Sequence, residues 1–115
     1  MNFAKKQEML YNLKDLKSKE IIPGFSGQFI HGEKMTMADW TVEKGAVLPE
    51  HSHVHEQISR VVEGEFEMTI ETETFVLKPG MVVTIPSNAT HRGVALTNCK
   101  IIDIFSPSRP EYNTD

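Results

Sequence analysis

The chain is expected to fold as an antiparallel all-β domain, a sandwich or a barrel, and three observations predict this. From Pro23 onward, short apolar segments recur at close spacing, separated by turn signals such as Lys78-Pro79-Gly80 and Pro86-Ser87-Asn88. In one of them Phe66, Met68 and Ile70 alternate with Glu65, Glu67, Thr69 and Glu71, so one face buries and the other stays wet. Beyond Pro23 no segment repeats its apolar residues at the helical period.

The elements follow in order. Residues 1–22 are lysine-rich, and Met9, Leu10, Leu13 and Leu16 fall at helical spacing, so this part is a short amphipathic helix or a loosely attached arm. Pro23-Gly24 ends it, and residues 23–115 form the barrel domain. Strands are expected over 27–31, 35–42, 58–62, 65–71, 75–77, 81–85, 91–96 and 100–105. Glu63-Gly64, between two of these runs, reads as the turn of a hairpin. Trp40 and Phe66 are assigned to the core, His31 to the surface, and Cys99 to a small buried apolar position.

A length of 115 residues allows one domain with one core. A net charge of -4, with no basic stripe, argues against a nucleic-acid partner. No apolar run is long enough to cross a membrane, and the N-terminus lacks the apolar stretch of a signal peptide. With a single cysteine as well, a cytoplasmic location is expected. Binding an anionic small molecule would need local cations, for which Arg60, Arg92 and Arg109 are available.

The chemistry concentrates in residues 45–64. Three of the five histidines, His51, His53 and His55, stand there at alternate positions. On extended backbone, alternate residues share a face, so His51 and His53 aim at one point and Gln57 returns to it. His91 lies in a second Gly- and Pro-punctuated stretch, 80–91. Converging imidazoles are the usual ligands of borderline divalent metals.

Gly45-x5-His51-x-His53-x3-Gln57-x6-Gly64 resembles the first motif of the cupin superfamily, with Gln57 in place of the usual Glu. Gly80-x5-Pro86-x-Asn88-x2-His91 resembles the second, with Asn88 where a Gly is usual and Ala95 where the closing Asn would fall. The resemblance covers residues 40–105 and implies a cupin-type jelly-roll β-barrel. It also implies that His51, His53, Gln57 and His91 hold one divalent transition metal, whether Ni, Zn, Fe, Mn or Co. His55 then supports a ligand or faces solvent. Gln offers a neutral carbonyl where Glu offers an anion, which favours Lewis-acid use over stabilising a higher oxidation state.

Residues 101–112, Ile-Ile-Asp-Ile-Phe-Ser-Pro-Ser-Arg-Pro-Glu-Tyr, together with 51–57, are similar to the pectin-degradation KdgF family of cupins. Its members carry the Gln-variant ligands and an Asp-x-Phe-Ser-Pro-x-Arg segment. They convert 4,5-unsaturated monouronates, from pectin or alginate, into linear 5-keto-4-deoxyuronates. The resemblance implies catalytic roles for Asp103, Phe105 and Arg109, although Pro110 displaces the acidic residue that usually follows Arg. Strand parity alone leaves two arrangements, with Asp103 inward beside Ile101 and Phe105, or outward with Ile102 and Ile104 inward. The resemblance favours the first, in which burial raises the carboxyl pKa toward values useful in acid–base chemistry. The implied partners are a small unsaturated uronate and a second copy of the chain, paired through the outer sheet near residues 35–40. The alternatives are an iron-dependent cupin dioxygenase and a non-catalytic sugar-binding cupin.

Overall fold

The computed structural model describes residues 9–112, and among them ten strands form two antiparallel sheets. The larger sheet runs β1 (Lys19–Ile22), β2 (Phe25–His31), β3 (Thr36–Val42), β10 (Cys99–Ser106), β5 (Glu56–Glu63) and β8 (Val82–Ile85). The smaller runs β4 (Val47–His51), β9 (His91–Ala95), β6 (Phe66–Ile70) and β7 (Glu73–Leu77). Such non-consecutive order, with the chain switching sheets, is the wiring of a jelly roll. The all-β expectation holds, and each expected strand appears with its ends shifted by a few residues.

Alternation decides which side chains go inside. Phe25 and Phe29 of β2, Ala38, Trp40 and Val42 of β3, and Ile101 and Phe105 of β10 are buried on one face. Phe66 on β6 meets them from the opposite sheet, with its ring 6.2 Å from Phe25 and edge-on to it. Phe25 in turn stands edge-on to Trp40 at 6.2 Å. Burying each such aromatic contributes about 2–3 kcal/mol, so this cluster joins the two sheets.

The expected hairpin at Glu63-Gly64 does not form. β5 pairs with β10 and β8, whereas β6 pairs with β7 and β9, so Glu63-Gly64 is a corner between sheets. A two-residue Gly turn looks the same in sequence whether it closes a hairpin or turns a corner. The β-hairpin lies one step later, where Glu71 at φ 53° joins β6 to β7. At the corner Gly64 adopts φ 84°, and a Cβ there would overlap the Asn98 carbonyl oxygen.

After Met9, which is helical, residues 10–22 contain no α-helix. Residues 1–8 lie outside the described residues, and Leu13–Asp15 make a single 3-10 turn. The Gln28 amide donates to the Leu13 and Leu16 carbonyls, at 2.5 and 2.8 Å, and so ties this segment to β2. β1 follows, pairing with β2 and adding an edge strand within the stretch read as an arm.

Replacing Gly64 by Ala is expected to cost about 3 kcal/mol or more, since it combines left-handed backbone strain with a clash against main chain. Denaturant unfolding checks this, and a midpoint equal to that of the parent would contradict the corner geometry.

Candidate active site

The histidines meet at one end of the barrel. His51 ends β4 and stands directly opposite His91, the first residue of β9. Their ring centroids are 4.1 Å apart, and His53 lies 4.9 Å from His91. One nitrogen from each of the three lies within 4.8 Å of the others. Strand parity is not what brings His53 here, because β4 stops at His51 and His53 occupies the following loop. That loop is pinned by the Asn88 N–H, which donates to the His53 carbonyl at 2.8 Å. Asn88 stands at φ 67°, the left-handed region that Gly or Asn tolerates, which explains its place in the second motif.

Each of the three imidazoles is held from behind by a main-chain carbonyl. Nδ1 of His51 meets Pro49 O at 2.7 Å, that of His53 meets His55 O at 2.9 Å, and that of His91 meets Ala89 O at 3.0 Å. Donation from Nδ1 leaves the Nε2 lone pairs to face the common point. His91 Nε2 is buried with no hydrogen-bond partner among the described residues. His53 Nε2 and Gln57 Oε1 stand 3.1 Å apart, two acceptors turned toward the same region. Adjacent ligands on an ion with bonds of about 2.1 Å are separated by about this much. Burial lowers the His91 pKa to about 4 and also depresses that of His53, so both rings are neutral donors at pH 7. Three imidazoles and an amide oxygen therefore fit a divalent transition metal.

His55 has a different part. Its carbonyl holds His53, its ring lies edge-on 6.4 Å from Phe105, and its Nδ1 is buried with no hydrogen-bond partner among the described residues.

From Gln57 a hydrogen-bonded chain runs into the barrel. Gln57 Nε2 donates to Ser59 Oγ at 2.9 Å, and the Ser59 hydroxyl donates to Asp103 Oδ1. The Trp40 indole N–H donates to Asp103 Oδ2 at 3.0 Å. Asp103 thus faces inward, flanked by buried Ile101 and Phe105, and the outward alternative falls. Burial pushes its carboxyl up to about 6, against the downward pull of the Ser59, Gln57 and Trp40 hydrogen bonds and of the Arg109 charge. A carboxyl titrating near neutrality can both take and give a proton.

Trp40, Gln57, Ser59 and Asp103 line a cavity of about 210 Å³, together with His51, His91, Arg109 and Tyr112. Arg109 is the arginine that reaches it: Arg92 pairs with Glu50 at the surface, and Arg60 is exposed on β5. The Arg109 N–H donates to Thr36 Oγ1 at 2.8 Å, which fastens the tail to β3. Its guanidinium lies 4.2 Å from the Tyr112 ring centre and 4.8 Å from that of Phe105. Arg109 Nε also donates to Glu111 at 3.0 Å, so the acidic partner displaced by Pro110 reappears one position later.

Sequence reasoning missed Ser59 and Tyr112 and gave Trp40 a core role alone. Trp40 is buried as expected, yet it also supplies a donor to Asp103. The usable signal for Ser59 was parity, because it lies two residues after Gln57 with Val61 beyond, all three buried on one face of β5. Nothing comparable marked Tyr112, which reaches the cavity by the turn Pro110–Tyr112 and stacks on Phe29 at 4.8 Å.

The two shifted groups act on stability with opposite signs. His91 binds a proton less readily in the fold, so stability falls as the pH drops from 6.5 toward about 4. Asp103 binds one more readily, so its contribution grows as the pH drops from about 6 toward 3.8. In metal-free protein, Asp103→Asn removes the compensating group and should make the acid-side loss of melting temperature steeper. Parallel melting curves for the two proteins between pH 6 and pH 4 would contradict this.

Comparison with known proteins agrees with the fold. The cupin domain family matches residues 38–105. The pectin degradation protein KdgF of Dickeya dadantii is 39% identical over 71 residues, which are 60% of this chain and 64% of that relative's length. The structure of KdgF from Halomonas sp. superposes with a TM-score of 0.83 at 31% identity, covering 87% of this chain and 95% of that one. An RmlC-like cupin from Shewanella frigidimarina gives a TM-score of 0.83 at 30% identity, covering 87% and 91%.

Proposed function

The chain belongs to the cupin family and is KdgF-like, and from that premise we propose that it opens and ketonises 4,5-unsaturated monouronates to linear 5-keto-4-deoxyuronates. The observation that carries this reading is the buried Asp103 carboxyl, hydrogen-bonded through Ser59 to Gln57 beside the three imidazoles, in a cavity that also holds Arg109.

In the substrate the ring oxygen belongs to an enol ether between C4 and C5. Transfer of the C1 hydroxyl proton to the ring oxygen, with cleavage of the bond between C1 and that oxygen, gives an aldehyde at C1 and an enol at C5. Moving the enol proton to C4 then gives the ketone. The net change is an isomerisation, with no oxidant or reductant consumed. His51, His53, Gln57 and His91 would hold the divalent metal, which supplies Lewis acidity toward the substrate's oxygens. Asp103 carries the proton to C4, since its raised pKa lets it exchange protons near neutral pH. Arg109 orients the uronate carboxylate, the group a guanidinium matches in two-point geometry. The guanidinium lies over the rings of Phe105 and Tyr112, which also give the sugar an apolar wall.

Asp103→Asn should lower turnover by at least about 100-fold while metal content stays the same, as expected when a proton carrier is removed. His51→Ala should lower both. The readout is loss of absorbance by the unsaturated uronate, with metal measured on the same samples. Activity retained in Asp103→Asn would remove it from the mechanism.

The same reading includes a homodimer. On the outer face of the larger sheet Ile30, Met37, Ile104 and Ile58 stand side by side across β2, β3, β10 and β5. Ile58 is 44% exposed, and Val82 on neighbouring β8 is 53% exposed. A contiguous apolar row on a sheet face is what a self-complementary pair would cover. The double substitution Ile58→Glu and Ile104→Glu should give a monomer in sedimentation velocity where the parent sediments as a dimer. A parent that sediments as a monomer would refute the pairing.

A further inference from the structure

The geometry points to Ser59 as a positioning residue that, with Trp40, orients the Asp103 carboxylate and couples it to Gln57. The inference rests on the ring-opening reading for its kinetic consequence but not for its structural one. β5 and β10 set Ser59 directly across from Asp103, and Trp40 follows Ala38, the Asp103 partner on β3, by two residues. All three side chains therefore point to the same inner face, and Ser59 and Trp40 are both buried. Hydroxyl and indole each take one carboxylate oxygen, Oδ1 and Oδ2 respectively. Two donors on opposite oxygens fix the plane of a carboxylate that apolar neighbours would otherwise leave free to turn.

The direction of the hydrogen bonds follows from Gln57. An amide nitrogen and an indole nitrogen can only donate, and an amide oxygen can only accept. With Gln57 Oε1 turned toward His53 Nε2, its Nε2 is left to donate to Ser59 Oγ. The single hydroxyl proton of Ser59 is then free to go to Asp103. A Glu at position 57 would present Ser59 with a second acceptor. Two buried carboxylates would then contest one proton, at a cost in electrostatic repulsion and in the orientation of Asp103. On this account the neutral ligand is needed for the direction of the chain as well as for the charge at the imidazole cluster.

Trp40 is the only tryptophan, so its indole N–H resonance reports on the bond to Asp103 without ambiguity. The experiment uses the full chain loaded with Zn(II), which is diamagnetic, and compares the parent with Ser59→Ala, Ser59→Thr and Gln57→Glu. Ser59→Ala should move the indole resonance and lower kcat about 10- to 100-fold, with KM and bound zinc unchanged, as for loss of an oriented proton carrier. Ser59→Thr, which keeps a hydroxyl, should restore both. Gln57→Glu should keep the zinc yet move the resonance and lower kcat. An indole resonance unmoved in both Ser59→Ala and Gln57→Glu overturns the inference, as does a Thr variant no better than Ala. If the parent turns over no uronate of either series, the ring-opening reading fails while the indole resonances still decide the orientation of Asp103.

Discussion

A carboxylate inside an apolar barrel is the constraint around which the rest of the structure is arranged. Asp103 lies between Ile101 and Phe105, on a strand whose inward neighbours are otherwise apolar. An unpartnered charge there would cost several kcal/mol. The hydroxyl of Ser59 and the indole of Trp40 offset that cost, and both can reach it only because β5 and β3 flank β10 in register. The jelly-roll order of the strands is therefore a condition of the chemistry, since it makes these three distant segments neighbours.

The imidazole cluster is arranged on a different principle. Its rings come from a strand end, a loop and the start of another strand, and main-chain carbonyls on Nδ1 orient all three. What they face is a point where the buried His91 Nε2 has no hydrogen-bond partner among the described residues and where two acceptors approach each other. Gln57 joins the two halves of the site, with its oxygen on the imidazole side and its nitrogen on the Asp103 side. The C-terminal tail closes the arrangement. Ser106 donates to the Lys34 carbonyl and Arg109 to Thr36, so Arg109 and Tyr112 are carried to the cavity by contacts with β3 and the turn before it.

Much of this was legible in the order of the residues. In β6 the expected alternation holds for Phe66 and Met68, which are buried around a half-buried Glu67, but not beyond, since Thr69 is buried and Ile70 only half-buried. The spacing of His51, His53, Gln57 and His91 announced a cluster, and the cluster exists among the described residues. The corner at Glu63-Gly64 was misread, since the local signal for a tight turn carries no information about which strand lies beside the next one. β1 escaped notice because Lys19 and Glu20 are exposed and only its last two residues pack inward.

The sequence by itself determined an all-β chain, its turn positions, the ligand-bearing motifs and the presence of an acid in an apolar run. Those features depend on residue type and on spacing over a few positions. Only the tertiary structure decided that Asp103 points inward, that Ser59 and Trp40 hold its two oxygens, and that Tyr112 reaches the cavity. Each of these depends on which strand lies against which, a relation between residues far apart in the chain that no local pattern encodes.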